Sequence, residues 1–202
     1  MSGVEVYRTL KQACESEVYK VKGSKFLSYV HPVENREEIE EILRDIRSGH
    51  PKANHCCYAW KLGAEQAEYR FNDDGEPTNS AGKPIYGQIL SLDLTNVLVA
   101  VVRYFGGTKL GVGGLIQAYR ESARQGLENA RVIEREIKRS YTLDFEYASM
   151  DRVMRLVKEK QLEILSQDMG MEVSMRLLVS KKNEQAFRDQ VSQWPEVKLE
   201  DQ

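Results

Sequence analysis

VLVAVVRYFGGTKLGVGGLIQAYRESAR, residues 97–124, joins a buried strand to a helix through a loop with almost no side-chain bulk. The run Val97, Leu98, Val99, Ala100, Val101, Val102 is apolar without interruption, which predicts a strand covered on both faces. It leads through Arg103, Tyr104 and Phe105 into Gly106, Gly107, Gly111, Gly113 and Gly114. Five glycines in nine residues predict either positive φ angles or close approach of the backbone to a neighbour. A second long helix is expected to follow, from about Leu115 to Arg131.

Upstream, Glu17–Lys22 and Lys25–Val33 read as two strands about Gly23. Asn35 with Glu38 forms a helix-start signature, and Ile39, Ile42, Leu43 and Ile46 repeat at helical spacing until Gly49 and Pro51. Cys56–Leu62 and Ala67–Phe71 read as a strand pair, followed by a turn at Asn72–Pro77 and a helix over Ala81–Leu92 with Pro84 in its first turn. Beyond the charged stretch Glu134–Arg139 the pattern restarts as strand (140–147), helix (150–160), strand (163–168), strand (172–179), helix (184–193) and strand (197–200). That βαββαβ order predicts a ferredoxin-like unit with a hairpin at Met169 and Gly170. The expected domains are therefore 1–136 and 137–202, in an α+β protein.

Composition narrows the function classes. With 202 residues, 41% of them apolar, the chain can build real cores, and its formal net charge of -2 argues against a globally basic nucleic-acid binder. No apolar stretch approaches about 18 residues and the N-terminus lacks a signal-peptide pattern, so a cytoplasmic protein without a membrane partner is expected. The three cysteines, Cys14, Cys56 and Cys57, fit reduced thiols better than a disulfide framework.

Four groups of residues are candidates for chemistry. The glycine loop opens a helix, where free N–H groups and the helix dipole favour an anion; Gly111, Gly113 and Gly114 with Lys109 would supply the site, and a tight strand-to-helix turn is the alternative. No nucleotide fingerprint is matched, because Ile116 stands where a G-x-G-x-x-G pattern needs glycine. Arg120, Arg124 and Arg131 fall near one helix face, and between Arg103 and Arg139 eight Lys or Arg face four Asp or Glu. This basic patch could track a phosphate backbone or be an ordinary solvated face. His50, His55, Cys56 and Cys57 suggest a metal or nucleophile site, but adjacent cysteines on a strand point to opposite faces, and a structural loop is the alternative. Asp73, Asp74 and Glu76 fit cation or acid–base work on one reading and a helix-capping turn on the other.

Three blocks taken together resemble the IMPACT/YigZ family: His50-Pro51-x-Ala53-x-His55, Asp73-Asp74-Gly75-Glu76-Pro77, and Arg103-Tyr104-Phe105-Gly106-Gly107-x-x-Leu110-Gly111-x-Gly113-Gly114-Leu115. The similarity covers about residues 20–132. It implies an N-terminal α+β domain like the second domain of a small-subunit ribosomal protein, and a C-terminal unit like the last domain of elongation factor G, as in bacterial members. Eukaryotic relatives regulate translation by competing for an activator of an initiation-factor kinase through an additional N-terminal domain, for which there is no room before Ser24, so that role is not expected here.

The combined expectation is a translation-associated regulatory protein, not an enzyme, binding RNA or the ribosome through Arg103, Lys109, Gly111, Gly113, Gly114, Arg120 and Arg124. No cofactor or metal is expected, and the oligomeric state stays open. The rival is a small-molecule hydrolase or phosphotransferase using a cleft among His50, His55, Asp73, Asp74, Glu76 and the glycine loop. Convergence of the blocks on a deep pocket would favour chemistry, and a shallow basic surface would favour binding.

Overall fold

In the computed structural model, which describes residues 5–201, the chain divides into a unit of residues 7–135 and a unit of residues 136–201 with residues 5 and 6. The larger unit runs β1 (Val6–Leu10), β2 (Cys14–Glu15), β3 (Tyr19–Val21), β4 (Ser24–Pro32), α1 (Arg36–Gly49), β5 (His55–Leu62), β6 (Glu68–Asn72), α2 (Gly82–Ser91), β7 (Val97–Tyr104), α3 (Gly111–Asn129) and β8 (Val132–Glu136).

β7 is the axis of the main sheet, whose order is β2-β4-β7-β5-β6 with β3 also on β4. It pairs antiparallel with β4 on one side, Lys25 opposite Tyr104, and with β5 on the other, His55 opposite Arg103. Its residues 97–103 are all buried, as an unbroken apolar run requires. Val97, Val99 and Val101 pack with Ile85 and Ile89 of α2 and Leu115, Tyr119 and Leu127 of α3. Leu98, Ala100 and Val102 face the opposite way, against Ile39, Leu43 and Ile46 of α1.

α1 begins where its cap predicts. Asn35 Oδ1 accepts the Glu38 N–H at 2.8 Å, while the Glu38 carboxylate turns back to accept the Glu34 N–H at 2.8 Å. α3 starts at Gly111, a turn earlier than its apolar spacing suggests, and ends at Asn129, which leaves Arg131 beyond the helix. The charged stretch expected as a plain boundary is itself extended, because β8 pairs with β1 and the next strand begins at Lys138.

The smaller unit contains β9 (Lys138–Phe145), α4 (Met150–Glu159), β10 (Glu163–Met169), β11 (Val173–Ser180), α5 (Glu184–Val191) and β12 (Val197–Asp201). The βαββαβ order is present, as a four-stranded sheet of order β10-β11-β9-β12 with every pair antiparallel. Leu143, Phe145, Met175 and Leu177 of the sheet pack on Val153 and Leu156 of α4 and Phe187 of α5. Among the described residues no helix is long and apolar enough to cross a membrane.

Candidate functional site

The three sequence blocks meet at one end of the main sheet. His55 opens β5 directly opposite Arg103 near the end of β7, and the turn after β6 folds over both. Asp73 organises that turn: its Oδ1 accepts the N–H groups of Ala81 and Gly82 at 3.0 and 2.8 Å, and its Oδ2 accepts that of Asn79 at 2.8 Å. This carboxylate therefore caps α2. Asp74 ties the turn to its surroundings, through Arg47 at 2.9 Å and the Cys56 N–H at 2.7 Å.

Glu76 points inward and is nearly sealed, with 4% of its side chain exposed. Its Oε1 accepts from Arg103 Nη1 at 2.5 Å and from the Tyr119 hydroxyl at 2.7 Å. His55 Nδ1 lies 2.7 Å from the Asp74 carbonyl, and because a carbonyl only accepts, that nitrogen carries the proton. Its Nε2 stands 3.8 Å from Glu76 Oε1. Arg103 is buried between the rings of Phe26 and Phe105, with its guanidinium carbon 5.5 and 5.6 Å from their centroids. It thus belongs to the interior, and cannot stand with the surface cations as sequence spacing suggested.

Cys57 completes this interior network, its Sγ 3.0 Å from the Asp73 carbonyl and 3.3 Å from Tyr119 Oη. Burial pushes the Cys57 thiol well up, and likewise the Tyr119 hydroxyl, which also faces Cys57 and Glu76. Burial pushes the Cys56 thiol up to about 11. Neither thiol is a thiolate near neutral pH, so the nucleophile reading of His55 and Cys56 has no activated sulfur to use. Iodoacetamide at pH 8.5 is expected to label Cys14, which is half-buried, while Cys56 and Cys57 react only on unfolding. The native thiols hold their protons where unfolded ones lose them, so stability should fall as pH rises from about 9 towards about 11. Mass spectrometry of labelled peptides checks the first, and denaturant midpoints across that range the second.

Beside this network lies an open cleft of about 220 Å³ lined by Arg47, His50, Pro51, Ala53, Asn54, His55, Cys56 and Asp74. His50 is held at both ring nitrogens, Nε2 2.6 Å from Tyr29 Oη and Nδ1 2.7 Å from Tyr104 Oη. The blocks converge as the rival reading asked, yet the groups that meet are mostly bonded to one another.

The glycine loop is different. Its root is pinned, because the Phe105 N–H donates to Asn54 Oδ1 at 2.8 Å and the Gly106 N–H to Ser24 Oγ at 3.2 Å. Gly106 lies so close to the β3–β4 turn that a Cβ there would sit 1.9 Å from the Gly23 carbonyl carbon. Past that contact the chain is open: Gly107, Thr108, Lys109, Gly111, Val112 and Gly113 are exposed, and Gly114 is half-buried. Gly107 and Gly111 have φ of 85° and 71°, the left-handed region that glycine tolerates. Leu110, at the cap position of α3, has no side-chain bond to the first turn, and among the described residues no other side chain caps that turn's amides.

Arg120 is exposed, whereas Arg124 is clamped by Glu121 at 2.6 Å and by Glu128. The structure thus keeps Lys109, Gly111, Gly113, Gly114 and Arg120 at or near the surface and withdraws Arg103 and the free charge of Arg124. Sequence reasoning missed Tyr119, Tyr29 and Tyr104 as polar partners; their hydroxyl contacts are long-range and leave no local signal.

Residues 22–127 match the model of the Impact N-terminal domain. An IMPACT family member of Haemophilus influenzae is 35% identical over 179 residues, covering 86% of this chain and 85% of the relative. The IMPACT family member YvyE of Bacillus subtilis is 32% identical over 183 residues, covering 91% and 84%. A crystal structure described as that of a hypothetical protein superposes with a TM-score of 0.79 at 27% identity, covering 97% of both chains.

Proposed function

This chain belongs to the IMPACT family, and we propose that it is a translation-associated regulatory protein that binds RNA, free or in the ribosome, through the first turn of α3. The observation that carries this reading is an uncapped, glycine-built helix start exposed beside Lys109 and followed on the same helix by exposed Arg120. Glycines let a phosphate approach the amides, the helix dipole favours its charge, and Lys109 adds a countercharge. Arg120 lies nine residues from Gly111, about 14 Å along the helix, which leaves room for more than one backbone phosphate. A contact set of this kind is insensitive to base sequence and sensitive to salt.

Both units support the same setting. The larger one, with its main sheet between α1 and the α2–α3 pair, supports the likeness to a ribosomal-protein second domain, and the antiparallel sheet of the smaller supports the ferredoxin-like reading. Binding fits the geometry better than turnover does, because the buried Glu76 carboxylate and the Cys57 thiol are committed to internal partners and burial keeps the Cys56 thiol protonated.

A single-stranded oligonucleotide titrated across a salt series tests the proposal. The double variant Lys109→Ala/Arg120→Ala should bind more weakly, with its log–log salt slope reduced by about 0.7 per lost phosphate contact. Arg124→Ala should weaken binding less than the double variant, because its guanidinium is held by Glu121 and Glu128 and the loss acts only through the two carboxylates it uncovers. Salt-independent affinity, or equal binding by the double variant, would remove α3 from the interface.

A further inference from the structure

The outer edge of the main sheet carries an aromatic stack that the α3 surface does not use. β6 is the last strand of that sheet, and its Tyr69 is 57% exposed. The Tyr69 ring lies on that of Tyr86 in α2, with centroids 4.7 Å apart and planes within 16° of parallel. Phe71 stands 6.1 Å from Tyr86. A tyrosine held flat by a second ring offers a planar ligand a ready surface, with little side-chain entropy left to lose on binding.

Cations flank the stack. Lys61 is the cross-strand partner of Tyr69, and Lys83 precedes Tyr86 by three residues on α2, which sets it on the same side of the helix. Neither has an ion-pair partner among the described residues. Around the edge from Tyr69, on the opposite face of the sheet, Arg70, Tyr58 and Trp60 help to line a groove of about 270 Å³ against α1, with Glu40 as its acidic wall.

We propose that Tyr69 is a stacking platform for an unpaired base of single-stranded RNA, with Lys61 and Lys83 meeting the flanking phosphates. The inference rests on the RNA-binding reading above and adds a second contact to it, one that recognises bases where the α3 turn recognises phosphate. Aromatic rings interleaved with cations are how sequence-tolerant single-strand binders hold their ligand. An added protein strand is the weaker occupant, because Glu68 and Arg70 place charges on this edge and charged edges discourage strand pairing.

The test compares hexauridylate with a base-free ribose-phosphate oligomer of equal length, read by Trp60 fluorescence in a Trp194→Phe background. Tyr69→Ala should weaken hexauridylate binding about tenfold and leave the base-free oligomer unchanged, while Tyr69→Phe keeps wild-type affinity for both. Lys109→Ala/Arg120→Ala should weaken both probes. If Tyr69→Ala binds hexauridylate as wild type does while the α3 variant is impaired, the platform is wrong, the RNA reading stands, and the edge is left to a protein strand. If wild type binds neither probe at low salt, the RNA reading falls and takes the platform with it.

Discussion

Arg103→Ala is expected to lower the unfolding free energy of the larger unit by about 3–5 kcal/mol, because it strands a carboxylate in the interior. Glu76 has 4% of its side chain exposed and shares one oxygen between Arg103 and Tyr119. Without the guanidinium, its charge must be kept in a low dielectric or neutralised by protonation, and either route favours the unfolded chain. Replacing both partners by apolar residues, as in Glu76→Leu/Arg103→Met, should lose less than the two single changes summed. Urea titration followed by Trp60, which lies in β5 of the same sheet, measures all three in a Trp194→Phe background. A loss under about 1 kcal/mol for Arg103→Ala would mean that water already reaches the pair.

Gly106→Ala is expected to destabilise by about 3 kcal/mol, at the upper end of ordinary overpacking. The added methyl would stand 1.9 Å from the Gly23 carbonyl carbon and 2.2 Å from the Ser24 nitrogen. Both atoms are backbone, so no rotamer change relieves the clash, and either the β3–β4 turn or the start of the glycine loop must move. Such a movement also breaks the bond from the Gly106 N–H to Ser24 Oγ, so α3 loses its fixed starting point. Gly113→Ala is the control, since nothing lies within 4 Å of its added Cβ, and alanine suits a helix better than glycine. Thermal unfolding should separate the two variants widely; coincident transitions would refute the close backbone contact.

Periodicity made much of the fold readable. β7 and α1 follow from an unbroken apolar run and from i, i+3, i+4, i+7 spacing, because both patterns report how many faces of an element are covered. The start of α3 was hidden, since Gly111, Gly113 and Gly114 read as loop although first-turn residues need no intrahelical acceptor for their N–H groups. Arg103 could have been placed correctly from period two alone. It continues Val97, Val99 and Val101, so its side chain joins the face under α2 and α3. What no local pattern carried was the identity of its partner. Glu76 lies 27 residues before Arg103 and 43 before Tyr119, and such pairings appear only once β7, α3 and the turn after β6 are brought together. The Tyr69–Tyr86 stack is of the same kind, because it depends on which helix covers the sheet edge.

The strand order β2-β4-β7-β5-β6 sets a timetable for the nascent chain. β4 and β5 are never neighbours: β4 also pairs with β2 and β3, and β5 with β6, but only β7 joins the two sets. Leu62 is polymerised about 40 residues before Tyr104, which at about 5–20 residues per second leaves the two early strands waiting for seconds. During that interval the apolar flanks of Phe26, Val30, Ala59 and Trp60 have no central strand to cover them, so chains terminated before Val97 present aggregation-prone half-sheets.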